Sequence, residues 1–457
     1  MLTPDTIAAV ATPSGTGGIG IIRVSGPAVS KIARRIFQPK QINCSWESHH
    51  LYHGDIISVD GSILDEALVA LMSSPHSFTG EDVLEINCHG SPVIMQSVLS
   101  QLMQLGCRLA RPGEFSQRAF LNGRLDLSQA EALASLVAAR SETACSIGLA
   151  HLKGALGTEI ENLRLMLIEA LAFTESSIDF TEDVSSQHTP VILPLLDNLS
   201  IRLQRLLDSY QVARLYTEGL NVVITGKPNV GKSSLLNTLT GKKRSIVTDI
   251  PGTTRDFIEG QINIRGMPVN LVDTAGIRKP NDIIEKAGID LVWENLANAD
   301  LAIILLDGSN LLTNEDAEIF AGISTMNYLV AINKSDLTSA WRIDEINKIS
   351  PDSKILQISA KFGTGIEELK NAIVDNATID KGENAGAVMI TNMRHKIALE
   401  KTLGNIARAK ENISGGISPE FPAFDLREAL DNLDEITGKK IDDEILDKIF
   451  SSFCIGK

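Results

Sequence analysis

A glycine-rich segment at residues 226–233 places the strongest constraint on how this chain folds. It reads Gly-Lys-Pro-Asn-Val-Gly-Lys-Ser, between an apolar run at 221–224 and a helical pattern at 233–239. Backbone N–H groups of such a loop and of the following helix N-terminus can surround phosphate oxygens, the lysine adds positive charge and the serine can bind Mg²⁺. A glycine-rich turn that binds no ligand would not need a strand before it and a helix after it. We therefore predict a phosphate-binding loop whose contacts are Asn229, Val230, Gly231, Lys232, Ser233 and Ser234.

Strands alternate with helical patterns from Asn221 to Val374, which is typical of a parallel α/β sheet. Three more motifs each follow an apolar strand there. They are Asp273-Thr274-Ala275-Gly276 after 269–272, Asn333-Lys334-Ser335-Asp336 after 329–332, and Ser359-Ala360-Lys361 after 355–358. Four such motifs in this order resemble the GTP-binding proteins. The sequence therefore predicts a Ras-like P-loop GTPase domain.

The resemblance to GTP-binding proteins implies a role for each motif. An Asp at position 273 can reach Mg²⁺ through water, and a Gly N–H at 276 can meet the γ-phosphate. Asp336 is expected to read guanine, because its carboxylate accepts from the N1–H and 2-amino groups and adenine lacks that amino group. The segment 359–361 is expected to support the base.

Two departures from the Ras-like pattern bear on hydrolysis. Ile277 stands where Ras-like proteins place a water-orienting Gln, and no arginine finger is evident in the sequence. Asn229 together with the segment 245–256 resembles GTPases that are activated by potassium. The alternative is that Asn229 only stabilises its own turn, as Asn often does. The predicted GTP contacts in the second segment are Thr248, Asp249, Ile250, Pro251, Gly252, Thr253 and Thr254.

Two other sequence patterns occur outside the nucleotide-binding region, one β-like and one helical. Short β-like runs and turns fill the first part, with a helix expected at 93–105, and a helical period begins near Ser128 in a predicted capping box. A polar loop is expected at 183–190, between two helical patterns. Helical patterns return after the nucleotide-binding region, where a helix at 424–436 is expected to close at Gly438. We predict a multidomain chain: an α+β N-terminal domain at 1–118, an all-α helical domain at 119–216 and 381–457, and the GTPase domain inserted at 217–380.

Composition limits the environment and the partners. The chain has 457 residues, a net charge of −15 and five widely spaced cysteines. An odd cysteine count with no Cys-x-x-Cys pair favours a reducing compartment, and the net charge disfavours non-specific binding to polyanions. No secretory signal or membrane-spanning run is found, so we expect a cytoplasmic protein without a membrane partner.

Several segments outside the nucleotide motifs carry a second resemblance. They are Asp5–Ala9, Ala11–Pro13, Gly17–Gly20, Arg23, Ser77–Asp82, Gly113–Arg124 and the ending Phe453-Cys454-Ile455-Gly456-Lys457. These segments resemble the MnmE (TrmE) family of tRNA-modification GTPases, and the resemblance covers the whole chain.

This resemblance implies a homodimer joined through N-terminal domains similar to tetrahydrofolate-binding domains. With the flavoprotein MnmG and its FAD, in a heterotetramer, the protein would modify C5 of the wobble uridine of certain tRNAs with a carboxymethylaminomethyl-type group. The one-carbon unit would come from a formyl or methylene tetrahydrofolate. The GTP hydrolysis cycle would drive conformational cycling.

The resemblance also assigns residues to ligands. Folate contacts would be Arg23, Glu81, Arg124 and Lys457. Potassium ligands would be Asn229, Thr248, Ile250 and Thr253, and magnesium ligands Ser233 and Thr254. Glu285 matches the acid that orients water through a bridging water, although by itself it is one charge at the start of an amphipathic helix. Cys454 either carries a reactive thiol or simply packs. Three apolar side chains, Phe450, Phe453 and Ile455, are expected to anchor the ending, the alternative being that they only cap the last helix.

Two rival functions use the same motifs. The chain could be a binding switch similar to the ribosome-assembly GTPases Era or Der, but it shows neither a suitable RNA-binding Gly-x-x-Gly nor a second phosphate loop. It could also be a stand-alone folate transferase with a regulatory GTPase domain. Finally, Gly15–Gly20 matches G-x-G-x-x-G, but a β-like run follows it where a dinucleotide site needs a helix.

Overall fold

The computed structural model describes residues 5–41, 46–179, 185–241, 260–273, 299–323, 326–341, 346, 354–378 and 388–456. The chain divides into two compact units. The first contains residues 1–138, 148–202 and 397–457, and the second contains residues 139–147 and 203–396. The domain boundaries given above stay predictions.

A seven-stranded sheet forms the N-terminal part of the first unit. Its strands are β1 Ile7–Val10, β2 Gly17–Ser25, β3 Phe37–Pro39, β4 Leu51–Ile57, β5 Ile63–Met72, β6 Val83–Gly90 and β7 Arg108–Leu109. The order is β3-β4-β5-β6-β2-β1-β7, with antiparallel pairs except for the parallel pair β1 and β7. Helices α1 Val29–Ile36 and α2 Pro92–Gln104 bury their apolar stripes in the same core as alternate sheet residues. This confirms the predicted α+β class.

Helices follow the sheet. They are α3 Glu114–Leu121, α4 Leu127–Ala138, α5 Glu142–Leu152, α6 Ala155–Asp179 and α7 Ser185–Thr217. The loop predicted through Pro190 was wrong in its extent, because α7 begins at Ser185 and contains Pro190. The buried stripe Ile192, Leu196 and Leu199 stabilises the helix through packing, and this outweighs the local cost of the proline.

The predicted capping box at Ser128 is displaced by two residues. The Asp126 carboxylate accepts the Gln129 N–H at 2.8 Å, and the Gln129 side-chain oxygen accepts the Asp126 N–H at 2.9 Å. Ser128 instead donates its hydroxyl to Asp126 at 2.7 Å. Asp and Gln make the same reciprocal cap as Ser and Glu, so helix α4 begins one residue before Ser128.

A six-stranded sheet forms the centre of the second unit. Its strands are β8 Leu220–Thr225, β9 Gly260–Ile264, β10 Met267–Asp273, β11 Leu301–Asp307, β12 Tyr328–Asn333 and β13 Ile355–Gln357. The order is β13-β12-β11-β8-β10-β9. The described helices beside it are α8 Lys232–Thr240, α9 Asn314–Gly322 and α10 Ile366–Thr378.

The predicted parallel α/β sheet is confirmed for five of these strands, and β9 departs from it. Strand β9 pairs antiparallel with β10 at the sheet edge. Arg265 and Gly266 between them both have positive φ, 51° and 82°, which is the geometry of a two-residue hairpin turn. This turn was not predicted from the sequence. Strand β11, buried at all seven positions, lies near the middle of the sheet.

The described C-terminal residues, 388–456, form three helices: α11 Met393–Ser414, α12 Glu420–Thr437 and α13 Asp443–Ser451. Helix α12 ends at Gly438 in the left-handed conformation, with φ 81°, as its sequence predicted. Of the helices in the described part of the chain, none has the length and apolar character needed to cross a bilayer.

Candidate functional site: a nucleotide loop and a tail-bound arginine

The phosphate-binding loop leaves β8 and enters α8 with a backbone that requires its glycines. Gly226 and Gly231 have φ of 151° and 104°, and Asn229 has φ 65°. A Cβ added at Gly226 would collide with the Leu305 carbonyl oxygen, and one at Gly231 with the Asn333 amide. The loop therefore lies against β11 and against the predicted base motif.

Lys232 lies folded against the loop. Its ammonium group donates to the carbonyl oxygens of Gly226 at 2.8 Å and Lys227 at 2.9 Å, and the residue is buried. Ser233 and Ser234 are exposed in the first turn of α8, where the helix dipole favours negative charge. The loop, the lysine and the helix N-terminus thus form an anion-binding surface.

The base motif connects two other motifs. The Asn333 side chain donates to the Val230 carbonyl at 2.7 Å and accepts the Ala360 N–H at 2.9 Å. The Ser359 hydroxyl donates to the exposed Asp336 carboxylate at 2.6 Å. The structure therefore brings together the phosphate loop, Asn333–Asp336 and Ser359–Lys361. The Lys361 ammonium lies 5.0 Å from the Phe362 ring centre.

Sequence reasoning missed Asp307, which ends β11. Its carboxylate accepts from the Lys334 ammonium at 2.6 Å and is almost fully buried. Burial by itself raises the pKa of Asp307, but hydrogen bonds from Lys334, Ser309 and Asn310 outweigh it and lower this pKa to about 2. The available signal was a carboxylate at the end of a fully apolar strand, which requires a partner.

A second cluster surrounds Arg23 in the first unit. Its guanidinium donates to the Glu85 carboxylate at 2.9 and 2.7 Å and to the Gly456 carbonyl at 3.3 Å. The rings of Phe78 and Phe115 lie 5.5 and 5.9 Å from it. Arg23 therefore contacts the sheet and the C-terminal segment together.

Glu81 is held by groups that the sequence analysis gave no role. Its carboxylate accepts from the Ser25 hydroxyl at 2.7 Å and from the buried Arg118 guanidinium at 3.1 Å. Arg118 also donates to the Asp5 carboxylate at 2.6 Å. Arg124 is exposed and donates to the Ser77 carbonyl at 3.1 Å. Sequence spacing alone does not reveal these bonds, since Arg118 and Glu81 are 37 positions apart.

The tail, which we define as Cys454–Lys457, is attached to the N-terminal part of the first unit. Phe450 and Phe453 are buried in one core with Leu127, and the Gly113 N–H donates to the Cys454 carbonyl at 3.4 Å. The prediction that Ile455 also anchors the tail was wrong, because its side chain is 60% exposed. Two aromatic rings suffice for the burial, and Ile455 points to solvent. The Cys454 thiol is also exposed.

Two models of known protein families match this chain. The model described as the GTP-binding protein TrmE N-terminus matches residues 6–124, and the MnmE helical domain model matches residues 127–454. The chain belongs to the MnmE family of tRNA modification GTPases.

Curated MnmE relatives match the chain from end to end. The tRNA modification GTPase MnmE of Syntrophus aciditrophicus (strain SB) is 48% identical over 99% of both chains. The MnmE protein of Carboxydothermus hydrogenoformans is 44% identical, again over 99% of both chains. A solved structure of the T. maritima FeoB G domain is 28% identical and covers 35% of this chain and 98% of its own, with a TM-score of 0.28.

Several of the predicted site residues lie outside the described residues. They are Thr248, Asp249, Ile250, Pro251, Gly252, Thr253, Thr254, Thr274, Ala275, Gly276, Glu285 and Lys457. The backbone of Asp273 is described: it ends β10 opposite Ile224 of β8, next to the start of the phosphate loop. The assignments of these residues stay predictions.

Proposed function

We propose that this tRNA modification GTPase is stimulated by K⁺ and acts with MnmG on C5 of the wobble uridine, using a tetrahydrofolate one-carbon unit. The observation that carries the proposal is the attachment of the tail to Arg23. It brings Arg23 and Gly456, which are far apart in the chain, into contact within the first unit, whereas the residues of the nucleotide loop belong to the second unit. Two ligand sites in one chain suit an enzyme that couples GTP hydrolysis to group transfer.

Magnesium and nucleotide would be held in part by groups in the first turn of α8. The Ser233 hydroxyl, with Thr254, would hold Mg²⁺, which would offset phosphate charge when bound. Lys232 would bind the phosphates, leaving the two loop carbonyls that it now contacts. The exposed Asp336 carboxylate, oriented by Ser359, would accept from guanine.

Potassium would occupy the neighbourhood of Asn229. Within the described part of the chain, the Asn229 side chain makes no hydrogen bond, which disfavours the alternative that it stabilises its own turn. Asn229 is exposed and has a left-handed backbone, and its side-chain amide oxygen is a suitable hard ligand for K⁺. Thr248, Ile250 and Thr253 would complete the set, and K⁺ would offset charge that develops on the phosphates.

Hydrolysis is therefore expected to rise steeply in KCl and to stay low in NaCl at equal ionic strength. Replacing Asn229 by Ala should lower kcat in KCl by about 10²-fold, the cost of removing one electrostatic stabiliser of a transition state. Binding of fluorescent GDP should change little. Equal rates of the wild type in both salts would contradict the potassium site.

The folate site would lie around the tail. Arg23, Arg124 and Lys457 would contact the acidic tail and ring edge of a formyl or methylene tetrahydrofolate, and Glu81 its polar N–H groups. The residues fit such a ligand, because guanidinium groups pair with carboxylates and the Phe78 ring offers an apolar face. The folate would supply the one-carbon unit, and the FAD of MnmG the redox step. We further propose a homodimer, a heterotetramer with MnmG and a cytoplasmic location.

Nucleoside analysis of tRNA from cells that lack this protein tests the proposal directly. We expect the carboxymethylaminomethyl-type wobble uridine to be lost and other modified nucleosides to be unchanged. Re-expression of the wild-type gene should restore it. A wobble-uridine profile unaltered by the deletion would refute the proposed substrate.

A further inference from the structure

The carboxylate of Asp307 joins the end of β11 to the base motif at the end of β12. The two strands pair in parallel with Asp307 opposite Asn333, and the Gly308 N–H donates to the Asn333 carbonyl at 2.9 Å. One carboxylate oxygen of Asp307 accepts from the Ser309 N–H at 2.9 Å and the Ser309 hydroxyl at 2.6 Å. The other accepts from Lys334 at 2.6 Å and Asn310 at 2.8 Å.

Lys334 has an unusual backbone conformation. It has φ 65°, a left-handed backbone that is uncommon for a residue with a side chain, and its side chain is about one-third exposed. Its predecessor Asn333 holds the phosphate loop, and two residues later Asp336 accepts from Ser359. Any change in the backbone at Lys334 would therefore move Asp336 relative to the phosphate loop.

A second set of bonds holds the far side of the same segment. The buried Trp341 indole donates to the carbonyls of Asp307 at 3.2 Å and Asn310 at 2.8 Å. The Ala340 N–H donates to the Gly308 carbonyl at 2.9 Å. Residues 334–341 are thus hydrogen-bonded at both ends, through Lys334 and through Trp341, to the loop that begins at Asp307.

A purely local role would explain only part of this pattern. An Asp at the start of a turn commonly accepts from the residue two positions later, as Asp307 does from Ser309. The bond to Lys334 is different, because it crosses 27 positions and pairs two charges. A turn-forming Asp does not need a buried ion pair with the base motif.

We propose that Asp307 is a positioning residue for guanine selection, holding Lys334 so that Asp336 faces the base at the correct distance from the phosphate loop. The inference rests on the proposed role of Asp336 as the guanine reader. It adds a residue on another strand to the nucleotide specificity of this GTPase.

Replacing Asp307 by Asn tests the proposal with little change of shape. The amide oxygen can still accept from Ser309, but an amide nitrogen in place of the second oxygen cannot accept from Lys334. Losing a charge-assisted bond of this kind corresponds to about a 10- to 100-fold change in an equilibrium. We expect the preference for GTP over ITP, which lacks the 2-amino group, and over ATP to fall by that factor in competition against fluorescent GDP.

Asp300→Asn is the matched control. Asp300 precedes the first residue of β11, forms an ion pair with Arg214 and accepts the Asn221 N–H at 2.9 Å, so it is a half-buried carboxylate at the opposite end of the same strand. Its substitution should lower the melting temperature of the protein and leave base preference unchanged. Equal loss of base preference in both variants would overturn the proposal, as would unchanged preference in Asp307→Asn.

Lys334→Gln removes the same ion pair from its exposed side and keeps the test decisive if Asp307→Asn does not fold. In the Lys334→Gln background, Asp307→Asn should have no additional effect on base preference, and additive effects would contradict a role through Lys334. Asp336→Asn is measured in parallel. An unchanged base preference in Asp336→Asn would refute the guanine reader, whereas a change there with none in Asp307→Asn or Lys334→Gln refutes only the positioning role.

Discussion

Asp336→Asn is expected to convert the nucleotide preference from GTP to xanthosine triphosphate. The carboxylate accepts from the N1–H and 2-amino groups of guanine, and an amide would instead donate to the C2 carbonyl of xanthine. A site whose buried hydrogen-bonding groups are left unpaired by the wrong ligand discriminates by about 10⁴-fold. We therefore expect GTP affinity to fall by up to that factor and xanthosine triphosphate to support hydrolysis.

The structure indicates why this exchange can succeed without rebuilding the pocket. Asp336 is exposed, and only the Ser359 hydroxyl bonds to it among the contacts described for its side chain. A hydroxyl can donate to an amide oxygen as well as to a carboxylate, so the new side chain keeps its orientation. The measurement is competition of GTP, ATP and xanthosine triphosphate for the site, followed by hydrolysis rates with the first and last.

Asp375→Asn serves as the control for this exchange. Asp375 lies on α10 and pairs with Arg265 at 2.8 Å, with both side chains about half exposed. The same chemical change there should leave nucleotide preference as in the wild type. Comparable binding of ATP and GTP by the unmodified protein would rule out Asp336 as a guanine reader.

Residue spacing predicted which motifs of the second unit lie together, because each motif is local. Each motif follows an apolar strand, and the carboxyl ends of parallel strands lie at one edge of a sheet, so sequence order alone brought Asn333 and Ala360 next to the phosphate loop. The fold class followed from the same alternation. The antiparallel edge strand β9 was not predicted, because its hairpin turn, Arg265-Gly266, lacks the usual Asn-Gly or Asp-Gly signal.

The bonds that hold the motifs were not predictable, since they join residues that are distant in the chain. Asp307 meets Lys334, and Arg118 meets Glu81, through partners 27 and 37 positions away. Nothing in the local pattern distinguishes such carboxylates from solvated ones. Resemblance to MnmE proteins predicted roles for Arg23 and the tail. The prediction that Ile455 anchors the tail was wrong, because hydrophobic character alone does not determine which side chain faces the core.

Deleting the tail, Cys454–Lys457, is expected to abolish tRNA modification while leaving the proposed K⁺-stimulated GTPase activity near that of the wild type. The described part of the tail contacts the N-terminal region of the first unit, through Gly113 and Arg23, whereas the nucleotide motifs lie in the second unit. Without the tail, Arg23 loses the Gly456 carbonyl, and the proposed folate site loses Lys457. Folate binding should weaken accordingly.

Gly456→Ala is the sharper version of this experiment because it keeps every other residue. Gly456 has φ 91°, and a Cβ there would collide with the Val10 carbonyl oxygen and lie 2.9 Å from the Ala11 Cα, both backbone atoms that cannot move aside cheaply. The tail would have to leave its position on β1. We therefore expect the modification rate to fall as in the deletion, with the GTPase rate retained.

Gly416→Ala separates this effect from ordinary backbone strain. Gly416 also has a left-handed backbone, with φ 65°, but an added Cβ there meets no atom within 4 Å. It carries the conformational cost of about 1 kcal/mol without displacing a neighbour. Modification assays with MnmG and all cofactors should therefore show full activity for Gly416→Ala and loss for Gly456→Ala. Intact tRNA modification by the truncated protein would mean that the tail only packs against the sheet, and the folate site would then have to be sought without it.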